Sequence, residues 1–282
     1  MNTLTRYILL GTCSLLLVAQ VNAEAAQTVA SRAAAAVAAN KSASDAQMVL
    51  EPRAVEIIKA MSTRLADAQS IAFTALVSEE FPSRLGPALV YSTRSNVVLQ
   101  RPNKLKVITP GDGPASEFYY DGKSIVTYAP AADLAASADA PPTITGALKF
   151  AFDTAAIYYP FTDLIVDDPN DMIAKDKKLA FFIGQSNVIG DTTTDMIAYA
   201  NADVFVQAWI GTEDHLPRRM RAVFADDPLR LRHQVEFSAW QLNGVAKGES
   251  FASEKAAAAK RIPFARPDQK APAPAPAKGD KQ

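Results

Sequence analysis

Between Pro52 and Leu65 the larger apolar residues recur at three- and four-residue steps: Val55, Ile58, Met61 and Leu65. Arg53, Glu56, Lys59 and Arg64 fall between them. That period predicts an amphipathic helix with one apolar stripe packed on a sheet. Pro52 suits its first turn. From Leu89 the period changes to two. Leu89, Tyr91, Thr93, Ser95, Val97 and Leu99 alternate with Val90, Ser92, Arg94, Asn96, Val98 and Gln100. The first set is the more apolar, which predicts a long, half-buried strand. Arg101-Pro102-Asn103 breaks it, because proline has no N–H for a ladder. Residues 105–108 form the next strand, and Pro110-Gly111-Asp112-Gly113-Pro114 breaks the pattern again.

Aromatic residues then flank an Asp121-Gly122 pair, the strongest short signal for a hairpin. A two-residue turn there pairs Tyr120 with Lys123, Tyr119 with Ser124 and Phe118 with Ile125. Phe118, Tyr120 and Ile125 share one face, and Tyr119, Val126 and Tyr128 the other. Aromatic cross-strand pairs hold sheets together, so a well-made hairpin accounts for this stretch without chemistry.

After Pro141-Pro142, Thr143 is placed to cap a helix in which Ile144, Leu148 and Phe152 step by four. Tyr158-Tyr159-Pro160 ends it, a short helical turn follows at 161–166, and Asp167-Asp168-Pro169-Asn170-Asp171 reads as a solvated acidic turn. Residues 179–183, 196–200, 204–210, 218–224 and 233–242 read as further strands. One helix, a first run of strands, a helical insert and a second run make an α+β layout. About nine or ten antiparallel strands with so few helices imply a large, strongly curved sheet or half-open barrel.

The two ends differ from this middle. Arg6, an apolar run over residues 7–19 and Val21-Asn22-Ala23 predict a signal peptide over residues 1–23. Two other readings of the leader stay open. One is an uncleaved anchor, although the run is shorter than the ~20 residues of a spanning helix. The other is a lipoprotein with Cys13 as the lipidated residue, although apolar residues continue beyond it. Residues 24–49 are Ala-rich and read as a disordered tether. Residues 265–282, with Lys-Ala-Pro-Ala-Pro-Ala-Pro-Ala-Lys, read as an extended tail. The folded domain is expected over 50–264, in the periplasm.

Cys13 is the single cysteine of the 282 residues, so the exported chain has no disulfide and no thiol nucleophile. A formal charge of −1, or −2 once Arg6 leaves with the leader, offers no basic footprint for nucleic acid. His215 and His233 are the only histidines, and neither has a second one at ligand spacing, so no metal site is expected. The acidic turn lacks the glycine and distal glutamate of a calcium loop. No Gly-x-Ser-x-Gly, phosphate loop or dinucleotide fingerprint occurs. Glu79 and Glu80 are strand neighbours that point to opposite faces. No catalytic residue and no cofactor are expected.

Two stretches resemble a known family. Residues 97–107, with Arg101-Pro102-Asn103-Lys104-Leu105, and residues 118–130, with Asp121-Gly122-Lys123 and Tyr128-Ala129-Pro130, resemble consecutive segments of LolA-type periplasmic lipoprotein carriers. A fuller resemblance is to an exported bacterial family classed as a domain of unknown function within the LolA-like superfamily. It takes in the Pro52 helix, Trp209-Ile210, Leu216-Pro217-Arg218-Arg219 and Ala259-Lys260-Arg261-Ile262-Pro263. Relatives carry Cys-x-His after the Gly190 turn. Thr194-Asp195-Met196 stand there in this chain, so a thiol or metal role does not carry over. The resemblance implies a half-barrel of antiparallel strands with helices across its concave face.

It further implies a carrier or sensor of a lipid or of lipoprotein acyl chains, working as a monomer without bond chemistry. The expected groove lining is Phe73, Leu89, Tyr91, Phe118, Tyr120, Ile125, Trp209 and Phe237, with Leu148 and Phe152 on the lid. The alternative is a protein-binding module of the cell envelope, like the anti-sigma regulators of envelope stress that use a LolA-like domain.

Overall fold

The computed structural model describes residues 49–111, 114–170, 178–245 and 248–266. The expected leader, the tether apart from its last residue, and the tail beyond 266 lie outside the described residues.

Helix α1 (Pro52–Ala66) has Pro52 in its first turn and buries Ala54, Ile58, Met61, Ser62 and Leu65. Val55 is 37% exposed, so the stripe is rotated from the one read in the sequence. At 100° per residue, Ala54, Ile58, Met61 and Leu65 cluster on one line, and Val55 sits about 90° away from its centre. The small Ala54 carried no hydrophobic signal and was passed over.

Six strands follow: β1 (Ser70–Phe81), β2 (Leu89–Gln100), β3 (Lys104–Thr109), β4 (Ser116–Tyr120), β5 (Ser124–Ala129) and β6 (Leu134–Asp139). Helix α2 (Ile144–Ala155) begins at Thr143, whose hydroxyl accepts from the Gly146 N–H. A short helix α3 (Thr162–Ile165) follows. The second run is β7 (Leu179–Ser186), β8 (Thr194–Ala200), β9 (Val204–Gly211), β10 (Pro217–Phe224) and β11 (Arg232–Leu242), then helix α4 (Glu254–Ala258) and the two-residue β12 (Lys260–Arg261).

All twelve strands form one sheet in the order β12-β6-β5-β4-β3-β2-β1-β11-β10-β9-β8-β7. Every pairing is antiparallel except β12 with β6. The two runs therefore meet at β1 and β11, in the middle of the sheet. The order does not close on itself, which leaves β12 and β7 as edges.

The sheet is strongly curved, and the path of one connector shows it. Residues 156–161 link α2 to α3. Ile157 and Tyr159 share a cavity with residues of β4, β5 and β6, while Tyr158 and Pro160 share one with residues of β8, β9 and β10. Along a flat sheet β5 and β9 would stand about 34 Å apart, seven spacings of ~4.8 Å. Neighbouring residues of one chain lie only ~3.8 Å apart. The limbs must curl toward each other around the connector, making the half-open barrel that the strand pattern implied.

The β4–β5 hairpin keeps its expected faces but not its expected register. Tyr120 pairs with Ile125, and Phe118 with Thr127. The turn sits one residue further on, with the Asp121 N–H donating to the Ser124 carbonyl. The Asp121 carboxylate accepts from the N–H groups of Lys123 and Ser124, which favours Gly122 and Lys123 as the central residues. Gly122 takes φ 96, a conformation suited to glycine. The register moves by two residues, an even number, so no side chain changes face.

Where β11 crosses β1 the register shifts between Ala72 and Thr74, and Ala239 adopts φ 54. Such a bulge turns an extra side chain toward one face. Phe237 and Trp240 both come to lie beside Phe73, with ring centroids at 5.8 and 4.5 Å. On the convex side, α4 covers Tyr128 and Ala135 with Ala256 and Ala259, a second small core.

Candidate functional site

The concave face holds the main core, and α1, α2 and α3 cover it. Its axis is a run of rings. Trp240 stacks on Phe73, Phe73 meets Phe161 edge to face at 5.5 Å, Phe161 stacks on Tyr159 at 5.3 Å, and Tyr159 meets Phe118 at 5.8 Å. The run begins on β11, crosses β1 and the connector, and ends on β4. It ties both limbs to the segment that divides them.

On either side of Tyr159 space remains. One cavity, of about 110 Å³, lies between the connector and strands β8–β10. Its wall includes Tyr158, Phe161, Asp163, Tyr199, Met220 and Phe224. The other, of about 300 Å³, lies against β4–β6, with Phe118, Thr127, Ile157, Tyr159 and Ile262 in its wall. The connector divides them because residues 157–160 alternate as in a strand: Ile157 and Tyr159 face one cavity, Tyr158 and Pro160 the other.

The cavity against β8–β10 carries a polar corner. Burial raises the Asp163 carboxyl above its ordinary range. Partial desolvation pushes the hydroxyl of Tyr158, a residue 57% exposed overall, up to about 12, with the charges of Asp163 and Glu79 adding to it. Tyr199 is pushed higher still by burial and then by Asp163. A ligand group that neutralised this corner, by donating a hydrogen bond or a positive charge, would relieve the unfavourable ionisation of Asp163.

A model of the family of predicted periplasmic proteins DUF2092 matches residues 54–265. The chain belongs to that family. Its compartment, as the family's description has it, is the periplasm. No curated protein sequence matches this DUF2092 protein. Solved structures that resemble it in fold include the following three. The Mycobacterium tuberculosis lipoprotein LppX is 12% identical over 71% of this chain and 100% of its own, with TM-score 0.44. A LolA superfamily protein from Nitrosomonas europaea is 10% identical over 71% of this chain and 97% of its own, with TM-score 0.35. The Pseudomonas aeruginosa MucA/MucB complex is 12% identical over 72% of this chain and 62% of that one, with TM-score 0.40.

In this DUF2092 protein the residues expected to line a groove fall in four places. Phe73, Phe118, Tyr120, Ile125, Leu148 and Phe237 come together beneath the helical cover, all buried. Phe118 also lines the larger cavity. The Tyr120 hydroxyl donates to the Pro141 carbonyl at 2.6 Å, which fixes the start of the cover to β4. Leu89 and Tyr91 share the concave face but stand beyond the cover, 50% and 57% exposed. Phe152 is on the outer side of α2, where its ring meets Tyr158 and the Arg266 guanidinium. Trp209 is on the convex face: it pairs with Met196 and Arg219, while its neighbours Ala208 and Ile210 are the buried ones. A period of two admits Ala208 and Ile210 or Trp209 inside, not both.

The connector was the residue set missed. Tyr158-Tyr159-Pro160 reads in sequence as the stop after a helix, yet it lies at the centre of the trough. Alternation across only residues 157–160, bounded by two helices, is too brief for a strand pattern to register. The Thr194-Asp195-Met196 position is structural: the Thr194 hydroxyl donates to the Ser186 carbonyl, and Asp195 meets Arg53 at 3.5 Å and Gln185.

Proposed function

We propose that this protein is a non-catalytic periplasmic binding protein that holds a lipid or acyl-chain-like ligand in the trough, as a carrier or sensor. The observation that supports this reading is the pair of cavities flanking Tyr159, under a cover held from one end of the trough. The larger, at about 300 Å³, is at the low end of the volumes that ligand pockets occupy. Its wall is mostly apolar, with Glu117, Thr127 and Ser116 at one end. An acyl chain gains about 0.8 kcal/mol per CH₂ removed from water, so even a short stretch of tail binds measurably. A longer tail needs the connector to swing aside, and its few capping bonds permit that: the Thr162 N–H and hydroxyl both donate to the Tyr159 carbonyl.

A fluorescent fatty acid should bind the purified protein at one equivalent and be displaced by unlabelled lipid. Tyr159→Ala enlarges the joined cavity and Thr127→Trp fills the larger one. The first should retain or tighten binding, and the second should weaken it. Native mass spectrometry of protein taken from its own host would then name the ligand. The reading fails if no lipid displaces the probe. A stoichiometric protein in the host complex, with no lipid, would replace it by the envelope-module reading.

A further inference from the structure

We propose that the β1–β2 hairpin is a docking finger for a lipid bilayer with anionic headgroups. Strands β1 and β2 pair along their full length, from Ser70–Gln100 to Phe81–Leu89. Their neighbours do not keep pace. Strand β3 pairs with β2 only from Asn96 to Gln100, and β11 pairs with β1 only from Ile71 to Glu79. On the β3 side, residues 89–95 extend about 20 Å past the last paired residue, at ~3.3 Å per residue. The hairpin therefore has an open edge along β2, and only its last residues, from Glu80 to Val90, pass beyond both neighbours.

Its tip is apolar. Phe81, Leu89, Val90 and Tyr91 are 45–61% exposed and Leu85, in the turn, is 92% exposed. The Phe81 and Tyr91 rings meet at 5.5 Å and hold the tip together across the strands. These residues do not share a face. Phe81, Leu89 and Tyr91 continue the concave side, Val90 points to the convex side, and Leu85 stands at the end. A protein partner that covers one face of a hairpin needs one apolar face. A tip that is apolar all round suits a medium that surrounds it. Aromatic rings at the base of such a tip suit the level of lipid headgroups.

Charge selects the kind of bilayer. The two acids opposite Val90 and Tyr91 have partners on β11: Glu80 meets Arg232 at 3.2 Å, and Glu79 meets His233 at 3.6 Å, an ion pair when that imidazole is protonated. Arg84 in the turn and Arg94 on β2 have no carboxylate partner among the described residues. Two free guanidinium groups beside an apolar tip complement anionic headgroups, and their stems cover apolar surface as they reach them. Unpaired peptide groups along the open edge of β2 oppose deep entry, so only the tip enters.

The finger also stands beside the trough. The cavity against β8–β10 has Val204 and Phe224 in its wall, at the end of the sheet where β1 runs out. The Glu79 charge reaches Tyr158, which lines the same cavity. Docking would bring this mouth to the membrane. That consequence rests on the acyl-chain reading, whereas the docking rests on the hairpin alone.

The test is co-sedimentation of the full chain with vesicles of phosphatidylcholine alone and of an equal mix of phosphatidylcholine and phosphatidylglycerol. Wild type should sediment with the mixed vesicles, and less so as salt rises. Leu85→Glu with Val90→Glu, both at exposed positions, should cut the bound fraction about tenfold or more. Arg84→Ala with Arg94→Ala should remove the preference for the anionic vesicles. Unchanged thermal melts and unchanged probe binding in solution would show that fold and trough are intact. Vesicle binding without probe binding would sink the carrier reading and keep the finger. Wild type that stays in the supernatant with both vesicles overturns the finger. So does a Leu85→Glu, Val90→Glu variant that sediments like wild type, or one that instead loses a protein partner from envelope extract.

Discussion

The guanidinium of Arg101 donates to the Val166 carbonyl at 2.8 Å. The same group donates to the Ala68 and Leu65 carbonyls at 3.1 and 3.4 Å. One side chain at the end of β2 thus takes up the carbonyls left open where α1 and α3 stop. Burial lowers its basicity from the usual arginine value, and the charges of Asp167 and Asp168 act against that. Arg101→Met keeps the stem and removes every donor. It should destabilise the fold by about 3 kcal/mol, since buried carbonyls lose charged partners. Urea unfolding measures the loss. Amide exchange should speed up first in the last turn of α1 and in α3, the two ends of the cover. A shift within the error of the extrapolation would show that solvent satisfies those carbonyls.

The edge strand β7 is guarded by the residue before α1. The Glu51 carboxylate accepts from the Phe182 N–H at 2.8 Å, and the Glu51 N–H donates to the Ala180 carbonyl at 2.8 Å. Phe181 and Ile183 on that strand are 36% and 43% exposed. An apolar edge with free N–H groups invites pairing with another chain. Glu51→Ala should cost about 1 kcal/mol. It should also raise the light scattering of concentrated solutions, while Glu51→Gln, which keeps an acceptor, should do so much less.

The elements above were largely readable from the chain, and for a definite reason. Strand β2 alternates over many residues, and Thr143 caps α2 as its position implied. Leu-Ala-Ala-Ser-Ala-Asp in β6 gave no signal, because alanine marks neither face. The site was less readable. The face of Trp209 hinged on whether alanine or tryptophan points inward, and the pairing of β9 with β8 and β10 put Ala208 and Ile210 inside. The connector's role depends on two limbs distant in sequence curling around residues 156–161. No local period encodes such a contact.

Ala156 ends α2 with φ 56 and is exposed. A left-handed conformation costs a residue with a Cβ roughly 1–2 kcal/mol, while glycine gives back about 0.5–1 kcal/mol in the entropy of the unfolded chain. Ala156→Gly should therefore stabilise the protein by about 0.5–1 kcal/mol, as at other glycine-capped helix ends. The thermal midpoint should rise by a few degrees at most. A fall would mean that the connector needs the stiffness of alanine where it enters the trough.

Alkaline pH should loosen the fold on both faces of the sheet. The Tyr119 and Tyr158 hydroxyls are both pushed up to about 12, by burial first. In the unfolded chain they ionise near 10. A raised value in the fold means that the unfolded state loses protons first. The stability tied to these groups is whole below about pH 10 and is lost as pH rises toward 12. Tyrosinate absorbance should therefore lag behind that of a denatured sample, then rise together with loss of near-ultraviolet circular dichroism. A titration that overlays the denatured curve would contradict the burial.

Asp163 gives the opposite end of the scale. Burial raises its carboxyl in the fold, so the folded state holds its proton to higher pH than the unfolded chain does. The benefit is present below the ordinary carboxylate value and is lost as pH rises through the raised one. Asp163 keeps solvent contact at the edge of the smaller cavity, so at neutral pH its charge is a screened and therefore small burden. Asp163→Asn removes the burden and keeps the shape. Its melting temperature should exceed that of wild type at neutral pH, and the two should converge in mild acid. If a bound amine or hydroxyl group is what that corner serves, the same substitution should weaken probe binding even as it stabilises the protein. A variant less stable than wild type at neutral pH would show that the carboxylate is needed for the fold and not for a ligand.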